Sequence, residues 1–313
     1  MNAIEVNNLT KSFDKLNAVD NLCLSVAEGE IFGLVGPDGA GKTTTMRLLT
    51  SIMDPTSGNA SVAGFNTVGE AERVKEHIGY MSQRFGLYAD LTVAENIDFY
   101  ADIYQVPRID RTERTEKLLS FSNLTPFKNR LAGKLSGGMK QKLGLACALI
   151  HTPSVLFLDE PTNGVDPVSR REFWRLLYQL LKEKVTIFVS TAYLDEAERC
   201  NRVALIHKGK LLAIGTPDEV KKLMHGAVME LRVSEPRHTK ELLQANLKNV
   251  SISLFGDRIH LVAERIDEAF KQAAEIISSN GINLNSSRTI EPALEDVFIS
   301  ILTSEKGQNI SAK

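Results

Sequence analysis

The eight residues GPDGAGKT, Gly36–Thr43, combine glycines, a lysine and a hydroxyl side chain at a spacing that suits phosphate binding. Two glycines separated by four residues let backbone N–H groups wrap around a phosphate, and the amino terminus of a following helix adds a positive dipole. Lys42 would reach the β- and γ-phosphates of a nucleotide, and the hydroxyl of Thr43 would ligate Mg²⁺. A glycine turn with a purely structural role is the alternative.

A pair of carboxylates ends the apolar run VLFLDE, residues 155–160. Asp159 would hold Mg²⁺ through water, and Glu160 would orient or deprotonate an attacking water molecule. Two carboxylates after a strand are also common as a turn or a helix cap. The phosphate loop upstream in the same chain favours the catalytic interpretation.

A second possible anion site is LSGGMKQ, residues 135–141, where a serine and two glycines open a helix. This segment lacks the lysine and hydroxyl pair that completes a phosphate loop. One complete loop and one half-site in a chain suggest that two chains share nucleotides face to face.

The elements around these motifs alternate between apolar runs and helical patterns, which predicts an α/β fold with a mostly parallel sheet. In such a sheet, ligands gather beyond the carboxyl ends of the strands. The strand predicted at residues 185–190 brings Ser190, Thr191 and Ala192 to that edge. Residues from Arg84 to about Lys134 have a helical pattern, in which Thr92 and Glu95 have the spacing of a capping box.

Beyond residue 217 the pattern changes to short strands, a helix from Ile266 to about Ser279 and the segment EPALEDVFISILT. These features predict a small α+β domain, in which we find no phosphate motif and no pair of catalytic groups. Residues 304–313 are expected to form a frayed tail.

Composition narrows the function. The 313 residues suffice for two domains, or for one large and one small domain. Lysine and arginine total 37 against 39 acidic residues, which argues against a broad nucleic-acid surface. No apolar run approaches the roughly 18 residues that span a bilayer, and the amino terminus does not resemble a signal peptide. We therefore expect a cytoplasmic protein that could dock peripherally on a membrane protein.

The segments GPDGAGKT, LSGGMKQ and VLFLDEPTNGVDP occur in the order and spacing of the nucleotide-binding subunits of ABC transporters, which this chain resembles over essentially its whole length. More narrowly, LAGKLSGGMKQKLGLACAL, STAYLDEAERC and EPALEDVFI resemble the ATPases of ABC-2-type exporters. The resemblance is strongest to the amino-terminal half of paired-ATPase multidrug exporters of Gram-negative bacteria.

The resemblance implies a P-loop NTPase fold of the ABC ATPase type, with a mostly parallel sheet, an antiparallel β-subdomain and a helical insert at about residues 84–150. This ATPase domain would cover residues 1–217, and residues 218–313 would form a small C-terminal α+β accessory domain with a frayed tail. The first part of the insert, to about residue 134, would receive a coupling helix of the permease.

The resemblance also implies ATP and Mg²⁺ as cofactors and a head-to-tail dimer with a second copy or with another ABC ATPase. Lys42, Gln83 and Glu160 would carry catalysis, and Thr43, Gln83 and Asp159 would hold the metal. Gln83 would couple the metal site to the helical insert. The residues expected to contact nucleotide are Phe13, Gly36, Pro37, Asp38, Gly39, Ala40, Gly41, Lys42, Thr43, Thr44, Ser136, Gly137, Gly138 and Asp166.

Five of these residues have further implied roles. Ser136, Gly137 and Gly138 would contact the γ-phosphate held by the partner, and Asp166 matches the aspartate that crosses between subunits. Phe13 would stack on adenine, with plain packing as the alternative.

Two residues depart from the family pattern. Asp38 replaces an asparagine, which adds negative charge beside a triphosphate, although its carboxylate could accept backbone N–H bonds. Ala192 replaces the histidine that binds the γ-phosphate and positions water. Losing one such donor typically costs on the order of 10²–10³ in rate, so we expect weak turnover as a homodimer.

The leading interpretation is an ATPase on the cytoplasmic face of the inner membrane that drives ABC-2-type permease subunits. The cargo would be a drug or another hydrophobic small molecule, with a periplasmic adaptor possible in the same system and no nucleic acid. One alternative is a degenerate cassette that clamps ATP beside a second, active ATPase. Another is a non-transport ATPase, which the single cassette and the lack of sustained heptads disfavour.

Overall fold

The computed structural model describes residues 1–83, 86–224, 226–248 and 250–310, with the backbone alone for 303–310. The chain divides into two compact units, Met1–Ile214 and Gly215–Lys313. The boundary drawn from the sequence, after residue 217, lies three residues beyond this division. In the described part of the chain, no helix combines the length and the apolar character needed to cross a membrane.

The first unit alternates strands and helices along most of its length. Two short 3₁₀ turns, Thr125–Phe127 and Ala132–Lys134, precede its fifth helix. In chain order the elements are β1 (Asn2–Phe13), β2 (Leu16–Ala27), β3 (Ile31–Val35), α1 (Lys42–Leu49), β4 (Ser57–Val62), β5 (Phe65–Asn66), α2 (Ala71–His77), β6 (Ile78–Met81), α3 (Val93–Ile103), α4 (Arg108–Phe121), α5 (Gly137–Leu149), β7 (Val155–Asp159), α6 (Pro167–Lys182), β8 (Thr186–Thr191), α7 (Leu194–Ala197), β9 (Arg202–His207) and β10 (Lys210–Gly215).

The central sheet of this unit has six strands in the order β10-β9-β3-β8-β7-β6. The pairs β9–β3, β3–β8, β8–β7 and β7–β6 are parallel, as the alternating pattern predicted. Val35 pairs with Thr191, and Asp159 pairs with Ser190. The phosphate loop, the two carboxylates and the segment before Ala192 therefore leave the sheet side by side at its carboxyl edge.

A second sheet, β2-β1-β4-β5, is antiparallel, and its apolar side chains share a core with the central sheet and α1. The helices α3, α4 and α5 form a separate cluster around Val93, Ile97, Ala101 and Leu143. Thr92 and Glu95 form the expected capping box at the start of α3. Arg84 and Phe85, at the start of the expected insert, lie outside the described residues.

The second unit is an antiparallel sheet covered by helices. Its strand order is β12-β13-β11-β14. The elements are α8 (Pro217–Lys221), β11 (Ala227–Val233), α9 (Pro236–Asn246), β12 (Ser251–Phe255), β13 (Arg258–Ala263), α10 (Ile266–Ser279), β14 (Leu284–Ile290) and α11 (Leu294–Ile310). Side chains of α9 and α10 pack on one face of this sheet.

Three elements of this unit, α8, α9 and β14, were not predicted. The alternation in β14 is weak because LNSSRTI carries five exposed residues between two partly buried ends. The prediction of a frayed tail at residues 304–313 was wrong in part, because α11 continues to Ile310. Residues 311–313 lie outside the described chain.

The other face of this sheet holds a buried ionic cluster. Glu230 accepts hydrogen bonds from Arg288 at 2.8 Å and from Arg258 at 3.0 Å. His260, opposite Glu230 on β13, contacts Asp296 of α11 through Nδ1 at 3.0 Å. Glu230, His260 and Asp296 are all buried, so these ionisable side chains connect α11 to the sheet through an otherwise apolar layer.

Candidate functional site

The loop of residues 36–41 needs glycine at both ends. A Cβ on Gly36 would lie 2.3 Å from the carbonyl oxygen of Ile206, and one on Gly41 would lie 2.2 Å from that of Ala18. Gly41 also has a φ of +106°, a backbone conformation that side chains with a Cβ rarely adopt. The loop is therefore held tightly between β3 and the first turn of α1, where backbone N–H groups are left without helical partners.

Lys42, the first residue of α1, is only 4% exposed and points into this loop. Its ammonium donates to the carbonyl oxygens of Gly36 at 2.7 Å and Pro37 at 3.1 Å. It also forms an ion pair with Glu160 at 3.0 Å. A buried positive charge is thus fixed at the place where the sequence predicted the phosphates of a nucleotide.

Asp38 is exposed, in contrast to the suggestion that its carboxylate accepts backbone N–H bonds. The side chain is 96% exposed, and its nearest charged partner is Lys42 at 4.0 Å. Among the described residues, no backbone group donates a hydrogen bond to it. The negative charge therefore lies in solvent at the mouth of the loop, where it is screened.

Asp159 ends β7 with one carboxylate oxygen satisfied and the other without a partner. Its Oδ1 accepts from Ser190 at 2.6 Å and from Thr43 at 3.3 Å. Its Oδ2 is buried and has no hydrogen-bond partner in the described chain. The charge of Asp159 adds to burial in raising the pKa of Tyr80 to about 12. An unpaired carboxylate oxygen beside a threonine hydroxyl suits a hard divalent cation.

Glu160 lies at the centre of the cluster. Its φ is +50°, and its N–H donates to both the carbonyl and the hydroxyl oxygen of Ser190, at 3.1 Å each. Its Oε2 accepts from the amides of Gln83 at 3.0 Å and Asn163 at 3.2 Å. The backbone strain and the converging donors are typical of a functional carboxylate.

An open cavity of about 720 Å³ lies over the loop. Residues 38–44, Gln83 and Glu160 line its polar part. Phe13 and Leu16, from the ends of β1 and β2, line another part, and Phe13 is 45% exposed. The cavity therefore offers an exposed aromatic ring together with buried charge and backbone donors, an arrangement that suits a nucleotide.

Ser136, Gly137 and Gly138 begin α5 and do not join this cluster within the chain. Ser136 caps the helix by accepting from the N–H of Met139 at 3.3 Å. Ser136 and Gly137 are exposed, and a Cβ on Gly137 would meet nothing within 4 Å. The space around these two residues is thus open to a second molecule.

Asp166 likewise lies at the surface, as the amino-terminal cap of α6. Its Oδ1 accepts from the N–H groups of Ser169 and Val168, both at 3.0 Å. These bonds lower the pKa of the Asp166 carboxyl, and the bond from Ser169 has the larger effect. A capping role is therefore present in the chain, and a role between subunits stays a prediction.

Ala192 borders a smaller cavity of about 260 Å³ that Asp38, Glu160 and Asn163 also line. The sequence interpretation did not single out Asn163 and Tyr193, which line this cavity. It also gave no role to Ser190, which contacts Asp159 and Glu160. Two of these three residues carried a signal, since Asn163 follows Glu160 by three residues and Ser190 ends a strand at the predicted edge.

Known proteins are similar to this chain over nearly its whole length. Residues 19–163 match the model of the ABC transporter family. The chain is 44% identical over 307 residues to the probable multidrug ABC transporter ATP-binding protein YbhF of Escherichia coli, with 96% of this chain and 52% of that protein aligned. The chain thus spans about half the length of this relative.

Other relatives match over nearly their whole length. The bacitracin transport ATP-binding protein BcrA of Bacillus licheniformis is 34% identical over 96% of this chain and 97% of its own. The daunorubicin resistance ATP-binding protein DrrA2 of Streptomyces coeruleorubidus is 33% identical over 99% of this chain and 98% of its own length.

Solved structures agree on the fold. The structure of cbiO1 from Clostridium perfringens, part of the ABC transporter complex cbiONQ, has a TM-score of 0.66 and 26% identity, with 71% of this chain and 91% of that chain covered. The dimeric post-hydrolysis structure of the ATP-binding cassette MJ0796, bound to ADP and Pi, has a TM-score of 0.62 and 26% identity. The match covers 68% of this chain and 98% of that chain.

Proposed function

Because this chain belongs to the ATP-binding proteins of ABC transporters, a family of ATPases, we propose that it hydrolyses Mg-ATP to drive a membrane permease. The observation that carries the proposal is the convergence of Lys42, Thr43, Gln83, Asp159 and Glu160 at one loop. A buried ammonium, a hydroxyl and two carboxylates are the groups that position ATP and its attacking water in phosphoryl transfer.

The ion pair between Lys42 and Glu160 links ATP binding to hydrolysis. A phosphate entering the loop competes with Glu160 for the ammonium, which the carbonyl oxygens of Gly36 and Pro37 keep in place. The carboxylate is then released from its cation. Gln83 and Asn163 keep it oriented, so that it can accept a proton from water beside the γ-phosphate.

The metal site follows from the same contacts. Thr43 through its hydroxyl, Asp159 through its unpaired oxygen and Gln83 through its amide oxygen would hold Mg²⁺. The ion would neutralise charge on the β- and γ-phosphates. Phe13 would stack on the adenine, and residues 36–44 would surround the phosphates.

A complete site needs a second chain in this proposal. Ser136 and Gly137 are exposed at the start of α5, where the helix amino terminus favours a phosphate. Two cassettes placed head to tail would bring this terminus, with Gly138 and Asp166, to the nucleotide on the partner's loop. The partner is a second copy or another ABC ATPase.

Residues 1–217 would be the ATPase domain, with the helical insert at about 84–150, and residues 218–313 would be an accessory domain.

The names of the relatives refer to multidrug transport, daunorubicin resistance and bacitracin transport. We therefore propose export of a drug or another hydrophobic small molecule through ABC-2-type permease subunits. The chain would lie on the cytoplasmic face of the inner membrane. Export would be tested by drug-stimulated ATP hydrolysis in vesicles that contain the permeases.

One specific observation favours a second candidate function. Ala192 has no side-chain donor for the γ-phosphate, so the chain could clamp ATP beside a second, active ATPase. Such a clamp would bind Mg-ATP and associate with its partner but release no phosphate in single-turnover conditions.

The Lys42→Ala variant tests the proposal directly. Removing the ammonium should abolish ATP binding or reduce hydrolysis by at least 100-fold, since the buried charge and its position are both lost. ATP binding is measured by equilibrium titration and hydrolysis by phosphate release. Lys75→Ala, at an exposed lysine paired with Glu72, is the matched control and should behave as the parent. Equal ATP binding together with equal, measurable hydrolysis in Lys42→Ala and the parent would exclude this loop as the ATP site.

A further inference from the structure

The cavity beside Ala192 has a polar wall that the family resemblance does not account for. Asn163 and Tyr193 line it together with Glu160. We propose that Tyr193, acting through Asn163, positions the carboxylate of Glu160 and so takes over part of the work of the histidine that Ala192 replaces. The inference rests on the proposed ATPase function and identifies two further positioning residues for it.

The contacts form a short chain that leads to the catalytic carboxylate. The hydroxyl of Tyr193 donates to Oδ1 of Asn163 at 3.4 Å. The Nδ2 of Asn163 donates to Oε2 of Glu160 at 3.2 Å. The same oxygen accepts from Gln83 at 3.0 Å, so two amides hold it from separate segments of the chain.

The contacts at its two ends orient the amide of Asn163. An asparagine amide has a donor end and an acceptor end, and only the donor end suits a carboxylate. Glu160 therefore takes the Nδ2 end, and the hydroxyl of Tyr193 donates to the Oδ1 end that is left. This second contact holds the side chain of Asn163 in the position where its Nδ2 reaches Glu160. Tyr193 therefore acts on Glu160 without touching it.

Tyr193 is itself held in place by the segment around it. Its N–H donates to the hydroxyl of Thr191 at 3.0 Å, and the guanidinium of Arg170 lies 4.3 Å from its ring centroid. Glu196, which is fully buried, accepts from Thr191 at 2.9 Å and pairs with Arg170 at 3.4 Å. The backbone of Tyr193 and one face of its ring are thus held in place, and its hydroxyl is directed at Asn163.

The first test removes only the hydroxyl. Tyr193→Phe should lower kcat for Mg-ATP hydrolysis about tenfold, a small share of the 10²–10⁴ that a positioned general base contributes. The KM for ATP should stay within about twofold, because Tyr193 lies outside the larger cavity over the loop. Tyr178→Phe is the matched control: this tyrosine is also 37% exposed, and its hydroxyl donates to the carbonyl of Arg199 instead.

Two double variants separate positioning from general damage. In an Asn163→Ala background, Tyr193→Phe should cause no further loss, since the path to Glu160 is already broken. In an Ala192→His background, Tyr193→Phe should cost about threefold or less, because a histidine restores a donor beside the γ-phosphate. If Tyr193→Phe only damaged the structure, its loss of kcat would instead multiply with the loss caused by the other substitution in both backgrounds.

The outcomes are distinct. A tenfold loss that disappears in the Asn163→Ala background and shrinks to about threefold or less in the Ala192→His background supports the inference. Equal kcat for Tyr193→Phe and Tyr178→Phe, or losses that multiply in either background, overturns it while the ATPase function stands. A parent that hydrolyses ATP no faster than Lys42→Ala overturns the proposed hydrolysis and the inference together.

Discussion

The ion pair between Lys42 and Glu160 joins the two groups on which the proposed chemistry depends. Their side chains are 4% and 9% exposed, so each charge relies on the other instead of on water. In the proposed function, phosphate binding would remove that mutual neutralisation and leave Glu160 near the amides of Gln83 and Asn163. The same contact would then set how tightly ATP binds and when the carboxylate is free to act.

Glu160→Gln should separate these two effects. The substitution keeps the shape but removes the charge that competes with phosphate for Lys42. ATP should bind severalfold more tightly, while hydrolysis should fall at least 100-fold because the proton acceptor is lost. Equilibrium binding and single-turnover phosphate release measure the two effects.

Glu72→Gln, at an exposed glutamate paired with Lys75, is the control for a lost surface charge and should match the parent. Weaker ATP binding in Glu160→Gln would contradict the competition described above. Retained hydrolysis would contradict the role of Glu160 as a base.

Sequence motifs predicted which residues meet at this site whenever the spacing was local or the strand ends were recognisable. Lys42, Asp159 and Glu160 were found in this way. Asn163 and Tyr193 were not singled out, because their effect depends on which way a side chain points after two loops pack together. No sequence pattern predicts that Nδ2 of Asn163 lies 3.2 Å from Glu160 or that the hydroxyl of Tyr193 contacts the same amide.

The first turn of α5 shows how two adjacent glycines serve different needs. Gly137 faces open space, whereas a Cβ on Gly138 would lie 2.5 Å from the Cβ and Oγ of Ser169 on α6. Asp166 fixes Ser169 at this contact by accepting its N–H. The second glycine is therefore required by helix packing, while the first leaves room for a ligand.

Alanine substitutions at these two positions should give opposite results. Gly138→Ala should destabilise the protein by about 1–3 kcal/mol because α5 and α6 must move apart. Gly137→Ala should leave stability unchanged or raise it by up to about 1 kcal/mol, since alanine favours helix. Urea unfolding followed by Trp174 fluorescence measures both, as Trp174 is the single tryptophan and lies in α6.

Each variant serves as the control for the other. Gly137→Ala should still slow ATP hydrolysis severalfold if its open side faces the partner's nucleotide. Equal stability of the two variants would show that the contact with Ser169 does not limit the packing of α5. Unchanged hydrolysis in Gly137→Ala would count against the proposed dimer.

The whole chain contains separate apolar cores, with α9 and α10 of the second unit packed on their own sheet. On the other face of that sheet, two arginines hold Glu230 ionised. The hydrogen bond from Arg288, followed by that from Arg258, lowers the pKa of the Glu230 carboxyl against the opposing effect of burial. The stability of this unit should therefore depend on acidity.

A lowered pKa in the folded state gives the direction of that dependence. Above the ordinary glutamate pKa of about 4.3, Glu230 is ionised in both states and its ion pairs contribute fully to the free energy of unfolding. The contribution is lost as the pH falls towards the lowered folded pKa. Glu230→Gln should reduce stability at pH 7 and make the fall below about pH 5 less steep.

Urea unfolding by far-UV circular dichroism reports both units, and Trp174 fluorescence reports the first, so their difference follows the second. Glu268→Gln, at a mostly exposed glutamate paired with Arg265, is the matched control. An identical pH dependence in the parent and Glu230→Gln would contradict the role of this cluster.

The sequence by itself determined the parallel sheet of the first unit and the loop of residues 36–43, because strand burial, helix periodicity and the glycine spacing are local properties. It also indicated the family, which the comparisons confirm. Only the tertiary structure decided that Gln83 and Asn163 share one oxygen of Glu160, that Asp38 faces solvent and that His260 is buried beside Asp296. Those facts depend on side chains from distant segments meeting in space, and sequence spacing does not encode such directions.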